Sequence, residues 1–270
     1  MSNNPKVSVL MGVYNCEKTV EEAIDSIRNQ TYKNWELIIC DDGSIDNTCN
    51  IVERIADKDS RIILIKNNTN LGLNKTLNNC LKIASGDYIA RMDGDDRCSF
   101  KRFEKQVNFL NSQDEYFIVS TPMKFFDENG FWGESHIKNK PTSEDVVTGS
   151  PIHHAPVMMK KECLDTVNGY TEDKRMLRVE DVNLWIKLYT AGYKCFNLDE
   201  PLYYMRNDKN ALNRRKYKYR INSTYVRLLG CKMLKLNYKC YVKAFTPMIV
   251  GLVPAKLRYQ LRRLQQKLRG

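Results

Sequence analysis

The sequence predicts an α/β fold in which a mostly parallel sheet is flanked by helices and followed by a basic, helical C-terminal tail. Three observations carry that expectation. Short apolar runs rich in β-branched residues alternate with helical-period runs over the first 121 residues, the pattern of βαβ units. Two of those runs end in clustered carboxylates, Asp41-Asp42 and Asp93-Gly94-Asp95-Asp96. Finally, charge is unevenly spread: residues 206–270 hold 18 Lys and Arg against one acid, Asp208, in a chain of net charge +11.

The elements follow in order. Lys6–Val13 reads as a buried strand, and Val20, Ala23, Ile24 and Ile27 recur at i, i+3, i+4 and i+7 as one face of a helix. Trp35–Cys40 is the next strand, followed by a helix over Asn47–Ile55 with Ile51, Val52 and Ile55 inward. Arg61–Lys66 and Tyr88–Met92 are the third and fourth strands, separated by a helix marked by Leu73, Leu77 and Leu81. Phe103, Val107 and Leu110 mark the helix after them. The alternation weakens after Phe117–Thr121, and 122–168 mixes short strand-like pieces with turns such as Asp127-Glu128-Asn129-Gly130. A helix returns with Val182, Leu184, Trp185 and Leu188, and Cys195–Leu198 is one more strand.

Composition narrows the class. A chain of 270 residues, 42% hydrophobic and 28% charged, can bury a substantial core and is not globally disordered. Its nine cysteines are scattered singly, which argues against a disulfide framework or a structural zinc site and fits a reducing compartment. Met1–Lys6 leads straight into a strand with no signal-like segment. The apolar stretch Ala244–Ala255 contains Pro247 and Pro254 and falls short of the roughly 20 residues a membrane span requires.

Ligands of open α/β sheets bind beyond the carboxyl ends of the strands. Carboxylates gathered there supply the oxygen ligands that hard divalent cations choose. Two acidic strand ends therefore predict a metal-assisted site for a phosphate-bearing substrate. No G-x-G-x-x-G turn follows the first strand, so a helix N-terminus is not the expected phosphate cradle and a dehydrogenase is disfavoured. Glu180-Asp181 opens the returning helix and is the best candidate for general-base work, although acids at a helix N-terminus also answer to its dipole. His153 and His154 are adjacent in an extended segment and so face opposite ways, which weakens a joint metal site. Arg91, Lys75 and Arg178 could contact phosphate, with solvated surface charge the safer reading for each.

An ordered series of motifs then resembles the family 2 glycosyltransferases. It comprises Val7–Asn15, Gln30-Thr31-Tyr32-Lys33-Asn34-Trp35-Glu36, Asp41-Asp42-Gly43-Ser44, Asn70-Leu71-Gly72-Leu73-Asn74 and Gly86–Asp96. Pro151-Ile152-His153-His154 and Val179-Glu180-Asp181 extend it to about residue 205, and Gly12 departs from it where the family usually has proline. The resemblance implies a GT-A nucleotide-sugar fold with a Rossmann-like sheet and an inverting, metal-dependent transfer of one sugar. It implies Mn²⁺ or Mg²⁺ as cofactor, held by Asp95, with Asp93 near the ribose or sugar and Asp96 in support. His154 would contact the diphosphate or the metal. Val13, Tyr14 and Asn15 would meet the base, Asp42 the uracil or ribose, with Asp41 structural beside it. Asp181 would be the base, with Glu180 next in line. The donor is expected to be a UDP-hexose or UDP-N-acetylhexosamine, and the acceptor a lipid-linked glycan of surface-polysaccharide synthesis.

The expected organisation is a glycosyltransferase domain over 1–205, with a nucleotide-binding half at 1–121 and an acceptor half at 122–205, and a tail over 206–270. Leu257, Leu261, Leu264 and Leu268 form one stripe rimmed by basic residues. That suits an interfacial helix on anionic membrane, placing the protein peripherally on the cytoplasmic face. A coiled-coil homodimer ranks second, and nucleic acid last because the leucine stripe would have no task there. Gln260-Leu261-Arg262-Arg263-Leu264 lacks the tryptophan of the family's polymer-forming members. Two rivals remain. A nucleotidyltransferase lacks its Gly-rich phosphate loop here, and a non-catalytic membrane-binding protein leaves Asp41, Asp42, Asp93, Asp95 and Asp181 without a purpose.

Overall fold

The computed structural model describes residues 4–206 and 217–253. Strands β1 (Val7–Val13), β2 (Trp35–Asp41), β3 (Ile62–Lys66) and β4 (Tyr88–Arg91) lie within a residue of the expected runs. Helices α1 (Val20–Arg28), α2 (Thr48–Ala56) and α3 (Leu73–Ile83) connect them, and a short β5 (Arg97–Cys98) precedes α4 (Arg102–Ser112). The inward faces are those the periodicity selects. Val20, Ala23, Ile24 and Ile27 are fully buried on α1, and Phe103, Val107 and Leu110 are buried on α4.

Beyond α4 come β6 (Ile118–Ser120), the hairpin β7 (Met123–Asp127) and β8 (Gly130–Glu134), and α5 (Ser143–Thr148). They are followed by β9 (Met158–Lys160), α6 (Lys161–Thr166), α7 (Glu180–Thr190), β10 (Cys195–Asn197) and β11 (Tyr203–Arg206). The main sheet has seven strands in the order β10-β6-β9-β4-β1-β2-β3, and β5-β11-β7-β8 form a second sheet. Central strand β1 pairs in parallel with both β2 and β4, which sets their carboxyl ends side by side. The main sheet is mostly parallel, with β9 running antiparallel between β4 and β6.

Two expected boundaries need correction. The division at residue 121 passes through one sheet, because β9 from the second half is hydrogen-bonded between β4 and β6. The tail boundary at 205 falls inside β11. Helices α8 (Lys218–Met233), α9 (Tyr238–Lys243) and α10 (Thr246–Gly251) complete the described chain. Val226, Cys231, Cys240 and Ala244 from α8, α9 and the α9–α10 junction join Leu184 and Trp185 of α7 in one core cluster. Residues 217–253 thus pack on the body, and the leucine stripe from Leu257 to Leu268 lies outside the described residues. Among the described residues every cysteine is free, and no helix is long and apolar enough to cross a membrane.

Candidate active site

At the tip of β1 the chain turns through Asn15, whose φ of 54° is in the left-handed region that asparagine tolerates. Asn15 N–H donates to Ser44 Oγ at 3.0 Å, and its Oδ1 accepts from Ile45 N–H at 3.0 Å. Asn15 therefore stitches the end of β1 to the loop after β2. Tyr14 beside it is 45% exposed, a free ring at the sheet edge rather than a core aromatic.

Asp41 and Asp42 are both buried, with divided tasks. Asp41 Oδ1 accepts from the Ser44 hydroxyl and, at 3.3 Å, from its N–H. Asp42 Oδ1 accepts from Asn67 Nδ2 and Leu71 N–H, each at 2.8 Å, and Oδ2 accepts from Gly72 N–H at 2.9 Å. Asp42 thus holds the 67–72 loop as Asp41 holds the Ser44 turn, so both carry a structural duty that sequence reasoning had given to Asp41 alone. A β-strand end leaves no periodic signal for the donors such a carboxylate will meet.

The end of β4 carries the acidic group. Ligand oxygens of Asp93, Asp95 and Asp96 lie within 4.8 Å of one another. The loop approaches β1 so closely that a Cβ on Gly94 would sit 2.7 Å from Val13 Cγ1, so only glycine fits without displacement. Asp96 is the buried member, and its Oδ1 accepts from Arg206 N–H at 2.7 Å. Burial, and then the charges of Asp95 and Asp93, hold its carboxyl well above the usual carboxylate range. Arg206 Nε donates to Asp95 O at 3.0 Å, and Asp93 N–H donates to Tyr203 Oη at 3.1 Å. Strand β11 therefore braces the acidic loop from below. Sequence reasoning missed Tyr203 and Arg206, which lie more than a hundred residues away along the chain.

Arg91 overturns its reading as a solvated surface charge. It is buried, and its Nη2 lies 2.5 Å from Asp93 Oδ1. Burial works against the guanidinium's charge, but surrounding anions led by Asp93 outweigh it and hold Arg91 above the ordinary arginine range. Arg102, fully buried on α4, donates from Nη2 to Arg91 O at 2.8 Å, and its Nε donates to Gln106 Oε1 at 3.1 Å. Gln106 Nε2 in turn donates to Pro156 O at 2.7 Å. This pair, at i and i+4 on α4, clamps the exit of β4 beside the segment entering β9.

Glu180 and Asp181 are the first two residues of α7, half-buried at its N-terminus. Burial, and then the charge of Asp181, pushes Glu180 up to about 6. Burial likewise raises Asp181, whose Oδ1 accepts from Val182 N–H at 2.8 Å. Both acids feel the positive charge of Arg91, which also pairs with Asp93. One buried cation thus acts on both the β4 acidic loop and the start of α7.

His154 is not a member of the Asp93–Asp95–Asp96 group. Its Nε2 shares a 2.8 Å hydrogen bond with Tyr170 Oη, and its ring stands edge-on to Trp185. Burial and then Arg91 hold it well below the usual imidazole range, so it is neutral. His153 turns instead to Ser135 Oγ at 2.9 Å, as the alternation of an extended segment requires. His154 thus packs on Trp185 of α7 within the field of Arg91.

The arrangement offers a cluster of carboxylate oxygens of the kind a hard cation takes at the end of β4, two raised carboxyls at the start of α7, and an exposed aromatic at the end of β1. A model of the family described as Glycosyl transferase family 2 matches residues 8–181. Among curated relatives, the putative glycosyltransferase EpsE of Bacillus subtilis is 42% identical over 273 residues, covering 100% of this chain and 98% of its own. The UDP-Glc:alpha-D-GlcNAc-diphosphoundecaprenol beta-1,3-glucosyltransferase WfaP of Escherichia coli is 31% identical over 227 residues, covering 84% and 87%. Among solved structures, S. aureus TarS 1-349 in complex with UDP-GlcNAc superimposes with a TM-score of 0.70 at 21% identity, covering 90% of this chain and 71% of that one. The mannosyltransferase PcManGT from Pyrobaculum calidifontis, in complex with GDP-Man and Mn2+, gives 0.65 at 17% identity, covering 98% and 81%. At such identities the two structures share the fold.

Proposed function

The chain belongs to glycosyl transferase family 2, and from that premise we propose that it transfers one sugar from a UDP-sugar to a lipid-linked glycan, with inversion, in surface-polysaccharide synthesis. The observation that carries this reading is the cluster of Asp93, Asp95 and Asp96 oxygens at the end of β4, with buried Arg91 ion-paired to Asp93 and its charge also felt by Glu180 and Asp181. UDP as the donor nucleotide is supported by the UDP-Glc donor of WfaP and by the UDP-GlcNAc bound to TarS. A lipid-linked acceptor is supported by WfaP's diphosphoundecaprenol substrate.

The acidic oxygens fit a hard divalent cation in number and type. Asp95 and Asp93 would hold it, and bound there it would supply positive charge against the departing diphosphate. Asp96, already accepting from the Arg206 N–H, keeps the loop in shape. Val13 and Tyr14 would flank the base, with the exposed Tyr14 ring able to stack on it, while Asp41 and Asp42 hold the Ser44 turn and the 67–72 loop beside it. Asp181 takes the proton of the acceptor hydroxyl as the glycosidic bond forms, because the free hydroxyl is too weak an acid to attack unaided. The leaving diphosphate occupies one face of the sugar, so attack comes from the other and inverts the anomeric centre. Arg91 holds Asp93 in an ion pair, and its charge favours the ionised form of Asp181 that can take the proton.

The chain would work on the cytoplasmic face of the membrane, with the basic segment after residue 206 turned to anionic lipid. Thermal melting with UDP, GDP and dTDP in the presence of Mn²⁺ tests the donor assignment. Stabilisation by UDP with Mn²⁺, and less by UDP with chelator, is expected. No shift with any nucleotide would overturn the reading.

A further inference from the structure

A cavity of about 450 Å³ opens beside Asp181, within the roughly 300–1,000 Å³ range of small-molecule sites. Its polar lining comes from three places. Ser150 follows α5, Arg178 and Asp181 sit at the start of α7, and Arg220, Ser223 and Arg227 line one side of α8 at i, i+3 and i+7. Arg227 is only 8% exposed; its Nη2 donates to Gly149 O at 2.9 Å, while its buried Nε has no hydrogen-bond partner. A buried guanidinium N–H without an acceptor is a costly feature unless a ligand supplies one. Three arginines against one carboxylate make the cavity anion-seeking, and guanidinium forks suit phosphate oxygens.

The fourth wall has a different character. Pro247 and Val250 of α10 line the cavity, and Ile249 and Leu252 beside them are 66% and 74% exposed. A cationic floor that meets an exposed apolar lip suits an amphipathic anion better than a free phosphate or a neutral sugar.

The geometry points to this cavity as the acceptor's phosphate subsite: Arg178, Arg220 and Arg227 take the diphosphate of a prenyl-diphosphate-linked glycan, and α10 receives the first part of its lipid chain. The inference rests on the lipid-linked acceptor reading above and adds the residues that recognise it. The first sugar of such an acceptor would extend from the arginines toward Asp181, which shares the cavity. The donor's diphosphate is placed elsewhere, beside Asp93 and Asp95. Arg227 also feels the charge of Asp181, so anchoring the acceptor and orienting the base draw on one side chain.

The test uses farnesyl diphosphate, its uncharged twin farnesol and inorganic pyrophosphate, titrated calorimetrically into the full chain with UDP and Mg²⁺ held at saturation. Farnesyl diphosphate should bind with UDP present, and farnesol should bind at least about tenfold more weakly. Arg220→Gln, at a half-exposed position, and Arg227→Lys should each weaken farnesyl diphosphate by about tenfold. UDP affinity, measured separately in each variant, reports whether the fold survives. The proposal fails if UDP displaces farnesyl diphosphate, or if Arg220→Gln binds it as tightly as the wild type. It fails too if phosphatidylglycerol vesicles bind through Arg220 and farnesyl diphosphate does not, which would make the cavity a headgroup site. Loss of UDP binding by the wild type would instead bring down the transferase reading itself.

Discussion

Asp181 and Glu180 share the start of α7, where the helix dipole favours negative charge while burial and mutual repulsion oppose it. The raised values of both acids show burial ahead of the dipole. Ionised carboxylate is the working form of a base, so turnover should fall on the acid side at a higher pH than an ordinary aspartate would give, because burial raises Asp181. Stability runs the other way: for Glu180, raised from 4.5 in the folded chain, the contribution is full below 4.5 and lost as pH rises through about 6. Glu180→Gln should shift the acid limb of a kcat–pH profile to lower pH, since one repelling charge is gone. Asp181→Asn should bind UDP normally and lose kcat by about 10²–10⁴-fold. Near wild-type turnover there would move the base to Glu180. Asp95→Ala should abolish the Mn²⁺-dependent part of UDP binding in calorimetry and leave melting in the absence of ligand unchanged. The acids of this site were legible in the sequence because strand ends and helix starts expose them. Arg91, Tyr203 and Arg206 were not, because a charge or ring brought in by tertiary packing carries no local signature.

At the scale of elements, four of the five strands and all four helices of the first 112 residues followed from periodicity. A parallel strand buried on both faces reads as a continuous apolar run, and each helix shows its stripe. Strand β9 did not follow. Three residues give neither alternation nor length, and its place between β4 and β6 is decided by partners already in the sheet. Helix α8 was read as tail because its basic residues dominate, although Val226, Gly230 and Cys231 form the face that docks. Gly230 marks the tightest point, where an added Cβ would lie 2.5 Å from Ile186 Cδ1 and 3.0 Å from Val147 Cγ2. Gly230→Val should therefore cost about 1–3 kcal/mol through overpacking in chemical denaturation. An unchanged midpoint would mean that α8 is not held against α7 in solution.

For the molecule as a whole, the contrast between a mildly acidic body and a basic C-terminal segment governs how it meets surfaces. Each Lys or Arg near an anionic bilayer contributes about 1 kcal/mol, weakened by salt within a Debye length. A chain ended after Val253 should keep its UDP-dependent melting shift and float less on phosphatidylglycerol vesicles, with the difference vanishing in high salt. If flotation is unchanged and the solution mass halves, the removed residues made a dimer instead. Ending the chain after Arg206 should be far more damaging, since it strips Val226, Cys231, Cys240 and Ala244 from the core around Trp185. Insoluble expression or a large fall in Tm is expected, and a soluble, fully stable fragment would show the α8–α10 helices to be dispensable.

The antiparallel placement of β9 also sets a timetable for synthesis. As the chain leaves the ribosome, β1 to β4 can assemble as soon as residue 91 is free, but β4 then presents an open edge. Residues 118–120 cannot cover it, because β6 reaches the sheet only through β9. The edge stays exposed until Met158–Lys160 emerge, and β10 can join β6 only after that. Unpaired apolar edges are where nascent chains associate with one another. For this chain the vulnerable interval in translation runs from the acidic loop to the residues just past the two histidines, and a ribosome stalled there would hold out a sticky, half-built sheet.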